Sequence, residues 1–595
     1  MPEGTFVIDV SLTSGGEPFL PFHDTAGAPL NRLVMAAIYA ELARLDAQGN
    51  FIPYLAAELP TLENGLLRFL GEGEDEYLEI EFRLRPGLTW QDGYPLTTDD
   101  LVFSWELVMQ TDWEGSHWTG SGLAPEVYVD NIEALAPDRV VYRLMSQRQA
   151  RLAAQQGGRI ADPSLYADLA EQEGPVVPLN YLAVGRNVFP RHLLREIPAG
   201  QVASSAFAGH PVYAGAYRLV EGGLEGQPVI LEAFEDFTLG APAIQHVIFG
   251  VASADHATVP YFQTPDELAI SLENGAVQAQ LGMPAVKSRD GEDPSAYDAL
   301  AEQGYAGVTW VPRNGWGTLD FNLDNPHLTD LCVRQAIAHA IDRQAIIDLA
   351  LAGHGSLMRS YLPSWHPMYA GDDALPEYAY DPEAARNLLQ AAGYDLSQFP
   401  ALHPERGPLS LRLDSMDVAS YPRSGMATLI QENLADIGIQ VQVSFHEWLE
   451  FEAEDCSGIR NSRQFDLALA GWLGIAPIDT WYAEHVTASW SIPTAENGCP
   501  FDMANWTGWR NARVDEIIPR LLDGRLALEQ PAEYRALWRE HQQLWANEIP
   551  SLPLFNFERP VVAVPALQGI QPSPFAFGSV EDTWNIFAWV FDKPR

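Results

Sequence analysis

Phe82 to Trp105 reads FRLRPGLTWQDGYPLTTDDLVFSW. A charged strand, Phe82-Arg83-Leu84-Arg85, runs into a Pro86-Gly87 turn. A short apolar stretch follows and meets a tight Asp92-Gly93 turn, the dipeptide that suits a hairpin. Thr97 or Thr98 then opens a helix as N-cap, with Asp99 and Asp100 in its first turn, where negative charge suits the backbone dipole. Local chemistry therefore predicts strand, turn, hairpin and capped helix, and is silent on function.

The same wording resembles the signature of extracytoplasmic solute-binding proteins of family 5, the oligopeptide- and dipeptide-binding components of ABC importers. The resemblance continues in the family's order along most of the chain. Ile38 to Leu42, Leu45 to Gly49 and Pro53 to Glu58 (PYLAAE) are similar to its opening phrase. Pro190-Arg191-His192 resembles its P-K-H segment, and Tyr213 to Leu219 (YAGAYRL) stands where the family writes GTGPY. Leu319 to Asn322 (LDFN), Cys332 to Arg343 (CVRQAIAHAIDR) and Asp381 to Tyr394 (DPEAARNLLQAAGY) follow. Leu434 to Val441, Phe465 to Trp472 (FDLALAGW) and Ile549 to Phe555 complete the series.

The patterning agrees with an α/β fold. Val229–Ala233, Val247–Val251 and Gly307–Trp310 read as short strands, and Leu331–Leu351 and Pro382–Ala392 as helices of period 3.6. At 595 residues the chain is too long for a single core. The resemblance implies a periplasmic-binding-protein-like fold, two main lobes with a hinge plus an extra third domain. Lobe I would take 1–50, 186–275 and 556–595, the extra lobe II 51–185 and lobe III 276–555. Ligand would be enclosed by hinge closure.

Composition narrows the partners. Eighty acidic residues against 35 basic give a net charge of −45, and Lys287 and Lys593 are the chain's lysines. Such a chain is repelled by phosphate backbones and anionic lipid, which argues against nucleic acid as partner. The spread charge reads as a solvated surface, with an acidic cleft for cationic ligands as the other reading. No stretch reaches the roughly 18 to 20 apolar residues of a membrane helix. Met1-Pro2-Glu3-Gly4 carries no leader pattern, so the chain reads as a mature form of an extracytoplasmic protein, periplasmic or a cell-surface lipoprotein. Cys332, inside the VRQAIAHAID helix, reads as a small buried hydrophobe. Cys456 and Cys499 flank the Trp472 segment and are either bridged or free.

Catalysis finds no foothold. There is no GxSxG, HExxH, Walker A or GxGxxG pattern, and His446-Glu447 lacks a second histidine at helical spacing. The reading is a binding protein, not an enzyme, with neither cofactor nor metal. The resemblance places the ligand at Trp472 and the segment after it. Peptide binders of the family carry an aspartate three residues past that Trp, for the peptide's α-ammonium group. Ile475 stands there in this chain, and Asp479 is the nearest acid. Leu469 stands where some peptide-binding relatives carry an arginine. Trp481, Tyr482, Trp448 and Trp316 join Trp472 as candidate aromatic contacts, each equally suited to a core. The expected partners are an oligopeptide and ABC permease subunits, with the chain a monomer. An oligosaccharide stacking on the Trp cluster is the alternative, ahead of nickel or opine-like solutes, a chemoreceptor-presenting role and hydrolysis.

Overall fold

The structure, a computed structural model, describes residues 5–10, 29–110, 118–119, 122–123, 125–156, 174–222, 228–251, 265–281, 287–288, 291–292, 295–304, 306–416, 423–453, 455–473, 480–500, 503–575 and 580–592. Its strands relevant here are β1 (Thr5–Val10), β2 (Leu67–Leu70), β3 (Tyr77–Arg83), β4 (Val129–Ala136), β5 (Arg139–Leu144), β6 (Tyr217–Glu221) and β7 (Val229–Ala233). They continue with β8 (His246–Val251), β9 (Ala279–Leu281), β10 (Gly307–Phe321), β11 (Ser410–Met416), β12 (Gln440–His446), β13 (Leu467–Leu473) and β14 (Ser551–Ala563). The helices are α1 (Pro29–Ile38), α2 (Thr98–Val108), α3 (Leu331–Ala340), α4 (Arg343–Leu351), α5 (Pro382–Ala391), α6 (Arg423–Asp436), α7 (Trp448–Phe451) and α8 (Pro531–Glu548).

Among the described residues, one 11-stranded sheet runs in the order β6-β7-β8-β1-β9-β14-β10-β13-β11-β12, with a two-residue strand beside β14. β1 is parallel to β8 and β9, while β14, β10 and β13 are mutually antiparallel neighbours and β13, β11 and β12 are parallel. A separate antiparallel sheet of four strands has the order β2-β3-β5-β4.

β10 and β14, 15 and 13 residues long, pass from one apolar core to another. Val311 and Val561 belong to the core built on β1, β3 and α2, whereas Leu319 and Phe555 belong to the core under α3 to α6. The pairing of β10 with β14 shifts register between Pro312 and Trp316, so a bulge sits where the cores part.

The segment Phe82–Trp105 acts as a clasp. Arg85 donates to the carbonyl oxygens of Tyr54 and Pro53, in the PYLAAE phrase. The buried Gln91 amide donates to the carbonyls of Ile38, Gly215 and Tyr217 and accepts from the Tyr213 N–H. Asp100 accepts from the Thr97 N–H at 2.9 Å, closing the first turn of α2, and from the Arg191 N–H at 3.0 Å. Ser104 Oγ accepts from the Phe189 N–H, Asp92 bonds His192, and Tyr94 stacks on the His192 ring. Gly87 and Gly93, at φ +75° and +83°, supply the left-handed turns.

Two expectations need correction. Leu331–Leu351 is not one helix. Ile341 is extended and the Asp342 side chain accepts from the Ala345 N–H, so α4 starts with its own N-cap. Cys332 is half-buried, not buried, because it lies in the first turn of α3, where its N–H is capped by Asp330. Cys456 and Cys499 are disulfide-bonded, which settles the choice left open by sequence.

Candidate functional site

The antiparallel register of β10 and β13 sets Trp316 directly opposite Trp472, and their rings stack with centroids 6.2 Å apart. Trp506 lies flat against Trp472 at 5.1 Å and 16°. Trp481 and Tyr482 meet the Trp472 ring edge-on, at 6.0 and 5.2 Å. Tyr482 in turn stacks on Tyr361 at 4.5 Å, and burial pushes the phenols of both well above their ordinary pKa. The result is an aromatic wall standing where β13 leaves the sheet.

A buried chain of charge backs this wall. The Arg460 guanidinium sits 3.7 Å above the Trp506 ring and 5.1 Å from that of Trp472. It donates to Asp320 at 3.1 Å and to Glu452 at 3.0 Å, with Arg460 and Asp320 both almost completely buried. Asp320 also accepts from the hydroxyls of Thr318 and Ser551, so its oxygens are satisfied within the sheet. The Trp472 indole N–H is buried and has no hydrogen-bond partner among the described residues. An unpaired buried donor costs about 1–3 kcal/mol, and a ligand acceptor would recover that.

Behind the wall, His541 joins Tyr361 to Thr487. The Thr487 hydroxyl donates to the Ala483 carbonyl, so it must accept from His541 Nε2, and Nδ1 then accepts from the Tyr361 hydroxyl at 2.6 Å. That arrangement requires a neutral ring, and burial pulls the His541 pKa down to about 3.

Of the residues singled out by sequence, Trp316, Trp472, Trp481 and Tyr482 are thus brought together. Trp316 is 2% exposed and forms the back of the wall, while Trp472 and Trp481 are half-buried at its face. Trp448 is apart from them, 61% exposed on α7 beside Leu449 at the outer edge of the sheet. Ile475 and Asp479 lie outside the described residues. Leu469 is buried in the core under α3 to α6. Trp509 is structural: its indole donates to Glu548, and Asn511 caps the next helix. Sequence reading missed Arg460, Asp320 and the contact role of Trp506. Asp320 carried a usable signal, an acid between Leu319 and Phe321 on an apolar strand, which demands a buried partner.

This sheet, its double crossing and its aromatic wall can be set beside known proteins. The model of the bacterial extracellular solute-binding proteins, family 5 (middle region), matches residues 50–492. The chain belongs to this family. Members of family 5 are non-enzymatic binders that work outside the cytoplasm, so this is a solute-binding protein and not an enzyme. Among curated relatives, the oligopeptide-binding protein AppA of Bacillus subtilis is 24% identical over 98% of this chain and 92% of its own. The structure of B. subtilis AppA in complex with a nonapeptide superposes with a TM-score of 0.58 at 18% identity, covering 99% of both chains. HbpA2 from Haemophilus parasuis superposes at 0.67 and 17% identity, covering 99% of this chain and 100% of its own. At these identities the structural likeness establishes the fold. No helix among the described residues is long and apolar enough to cross a membrane.

Proposed function

We propose that this family 5 protein captures an oligopeptide between two lobes and delivers it to the permease of an ABC importer. The observation that carries the reading is the end-to-end match to an oligopeptide-binding protein. The lobes would be 1–50 with 186–275 and 556–595 on one side and 276–555 on the other, with 51–185 as the extra lobe. Closure would bend β10 and β14 where their register shifts and the cores part. Selectivity would come from the face of Trp472 and Trp481 and the unpaired Trp472 N–H, with Trp448 as an outer lip and Asp479 as the substitute for the acid missing at Ile475. The chain would act as a monomer, periplasmic or tethered to the cell surface.

An oligosaccharide is the second reading, favoured by the stacked indoles and by Ile475, since flat aromatic faces suit sugar rings as well as side chains. A thermal-shift screen separates the two. Protein unfolded, stripped of carried-over ligand and refolded is challenged with short peptides and with α- and β-linked oligosaccharides. Ligand at about 100 times its dissociation constant adds roughly 2.7 kcal/mol of stability. A shift with peptides is expected; a shift with oligosaccharides alone overturns the peptide reading.

A further inference from the structure

The bodies on either side of the crossing strands meet a second time, away from β10 and β14. The four-stranded sheet is part of the first body. Leu78, Ile80 and Phe82 of β3 share one continuous apolar core with Phe6 and Ile8 of β1 and Val34 of α1. The clasp fastens the same sheet to Ile38, Arg191 and Tyr213. The aromatic wall belongs to the other body, in one cluster with Leu521, Leu526 and Tyr534.

The short helix Gly524–Glu529 spans the two. Asp523 caps it by accepting from the Leu526 N–H at 3.1 Å. Leu526 and Ala527 pack into the core of the wall, whereas Leu528 packs on the core of the first body. Arg525, held by Glu529 of its own helix at 3.0 Å, donates to Glu76 at 2.7 Å. Its guanidinium also lies 4.5 Å over the ring of Phe69 on β2. Gly524 abuts Val177 so closely that a Cβ there would collide with the Val177 carbonyl oxygen. Gly524 is not among the residues of positive φ, so the approach of Val177, not a left-handed turn, calls for glycine. Val176 ties this seat to the four-stranded sheet, its N–H donating to the Met145 carbonyl, and Leu179 packs against the core of the wall. Burial and the Glu484 carboxylate push the Tyr128 phenol up, which sets the extra lobe within range of the segment that carries Tyr482.

We propose that this contact is a latch, by which the extra lobe 51–185 holds the two main lobes closed over the aromatic wall. Arg525 on Glu76 and Phe69 is its bolt, and the Gly524–Val177 approach is its seat. The inference rests on the closure reading above. Rotation at the crossing strands carries Gly524–Glu529 with one body and Phe69, Glu76 and Val177 with the other. Opening therefore has to part all of these together, and the equilibrium between open and closed forms shifts by whatever they contribute to the closed one.

The test is small-angle X-ray scattering on the full chain, unfolded, stripped of carried-over ligand and refolded. Arg525→Glu sets a carboxylate against Glu76. The two side chains are 34% and 23% exposed, so the fold should survive the change. Arg525→Glu is expected to have a larger radius of gyration than the unaltered chain. Adding Glu76→Arg, which remakes the pair with its charges exchanged, should restore the smaller radius. Gly524→Val, a wedge at the seat, should expand the chain as Arg525→Glu does. A pool of tri- to nonapeptides is then added to each sample. Equal radii for the unaltered chain and Arg525→Glu before peptide, with contraction of both on adding it, overturn the latch and leave the closure reading standing. An expansion that Glu76→Arg does not reverse takes the effect away from this pair and overturns the latch too. One radius for every sample, with and without peptide, overturns the latch and the closure reading together.

Discussion

Around Phe82–Trp105, polar side chains end on the backbone of other segments; around Trp472 they end on rings and on one another. Gln91, Asp100 and Ser104 each fix a backbone group 53 to 126 residues away. Such contacts are spent on joining parts of the chain and leave nothing for a ligand. At the wall, Arg460 is shared between Asp320, Glu452 and two indoles, and the Trp472 N–H is left over. The phrase by which the family is recognised therefore builds the frame, and on the proposed reading the part that would select a solute is the wall around Trp472.

The comparison can be broken most forcefully at Asp320. Asp320→Ala strands a buried Arg460 and should cost about 3–5 kcal/mol in denaturant unfolding. Adding Arg460→Met should recover most of that loss; a neutral Asp320→Ala would mean the charge chain does not hold the wall. The backing of the wall is tested by pH. The unfolded chain protonates this histidine near 6.5, but folded His541 only at about 3. A depressed pKa gives stability that is fully present above pH 6.5 and is lost as pH falls towards 3. Between pH 6.5 and 5 the loss from this group is of order 2 kcal/mol. Melting temperature followed over that range should fall less steeply in His541→Gln. In the clasp, Asp100→Ala frees the Thr97 and Arg191 N–H groups and should cost about 1–2 kcal/mol by the same unfolding assay. It should leave ligand affinity unchanged, and an equal loss of affinity would erase the contrast between the regions. The smallest effect is expected at the exposed lip: Trp448→Ala should change stability by no more than about 0.5 kcal/mol. A titration with the peptide found by screening should nevertheless show weaker binding.

Much of the frame was legible because its signals are local. The period of Pro382–Ala392 announced α5, and the structure adds the cap, the Asp381 carboxylate accepting from the Glu383 and Ala384 N–H groups. The alternation in Val229–Ala233 likewise marked a strand. Where periodicity ran on unbroken, as across Ile341-Asp342, it hid a helix end that only the cap geometry reveals. The wall was half legible. Its indoles advertised themselves by crowding near a family motif, but Arg460 meets Asp320 across 140 residues of chain, and no spacing rule links them. The partners of the clasp were hidden for the same reason: Asp100 suggested a helix start, and nothing in its neighbourhood pointed to Arg191.

The bulge between Pro312 and Trp316 has a mechanical consequence. If the two cores rotate about it, it is a fulcrum, and displacement grows with distance from it. Trp316 adjoins the fulcrum and Trp472 is paired with it across one strand spacing, so the inner wall would hardly travel. Trp448, beyond the outermost strand β12, rides at the end of the lever. Because Trp448 and the indoles share the proposed lobe 276–555, a solute settled against the nearly stationary indoles would be covered by the opposite lobe, with the bare apolar tip of α7 swinging on the outside.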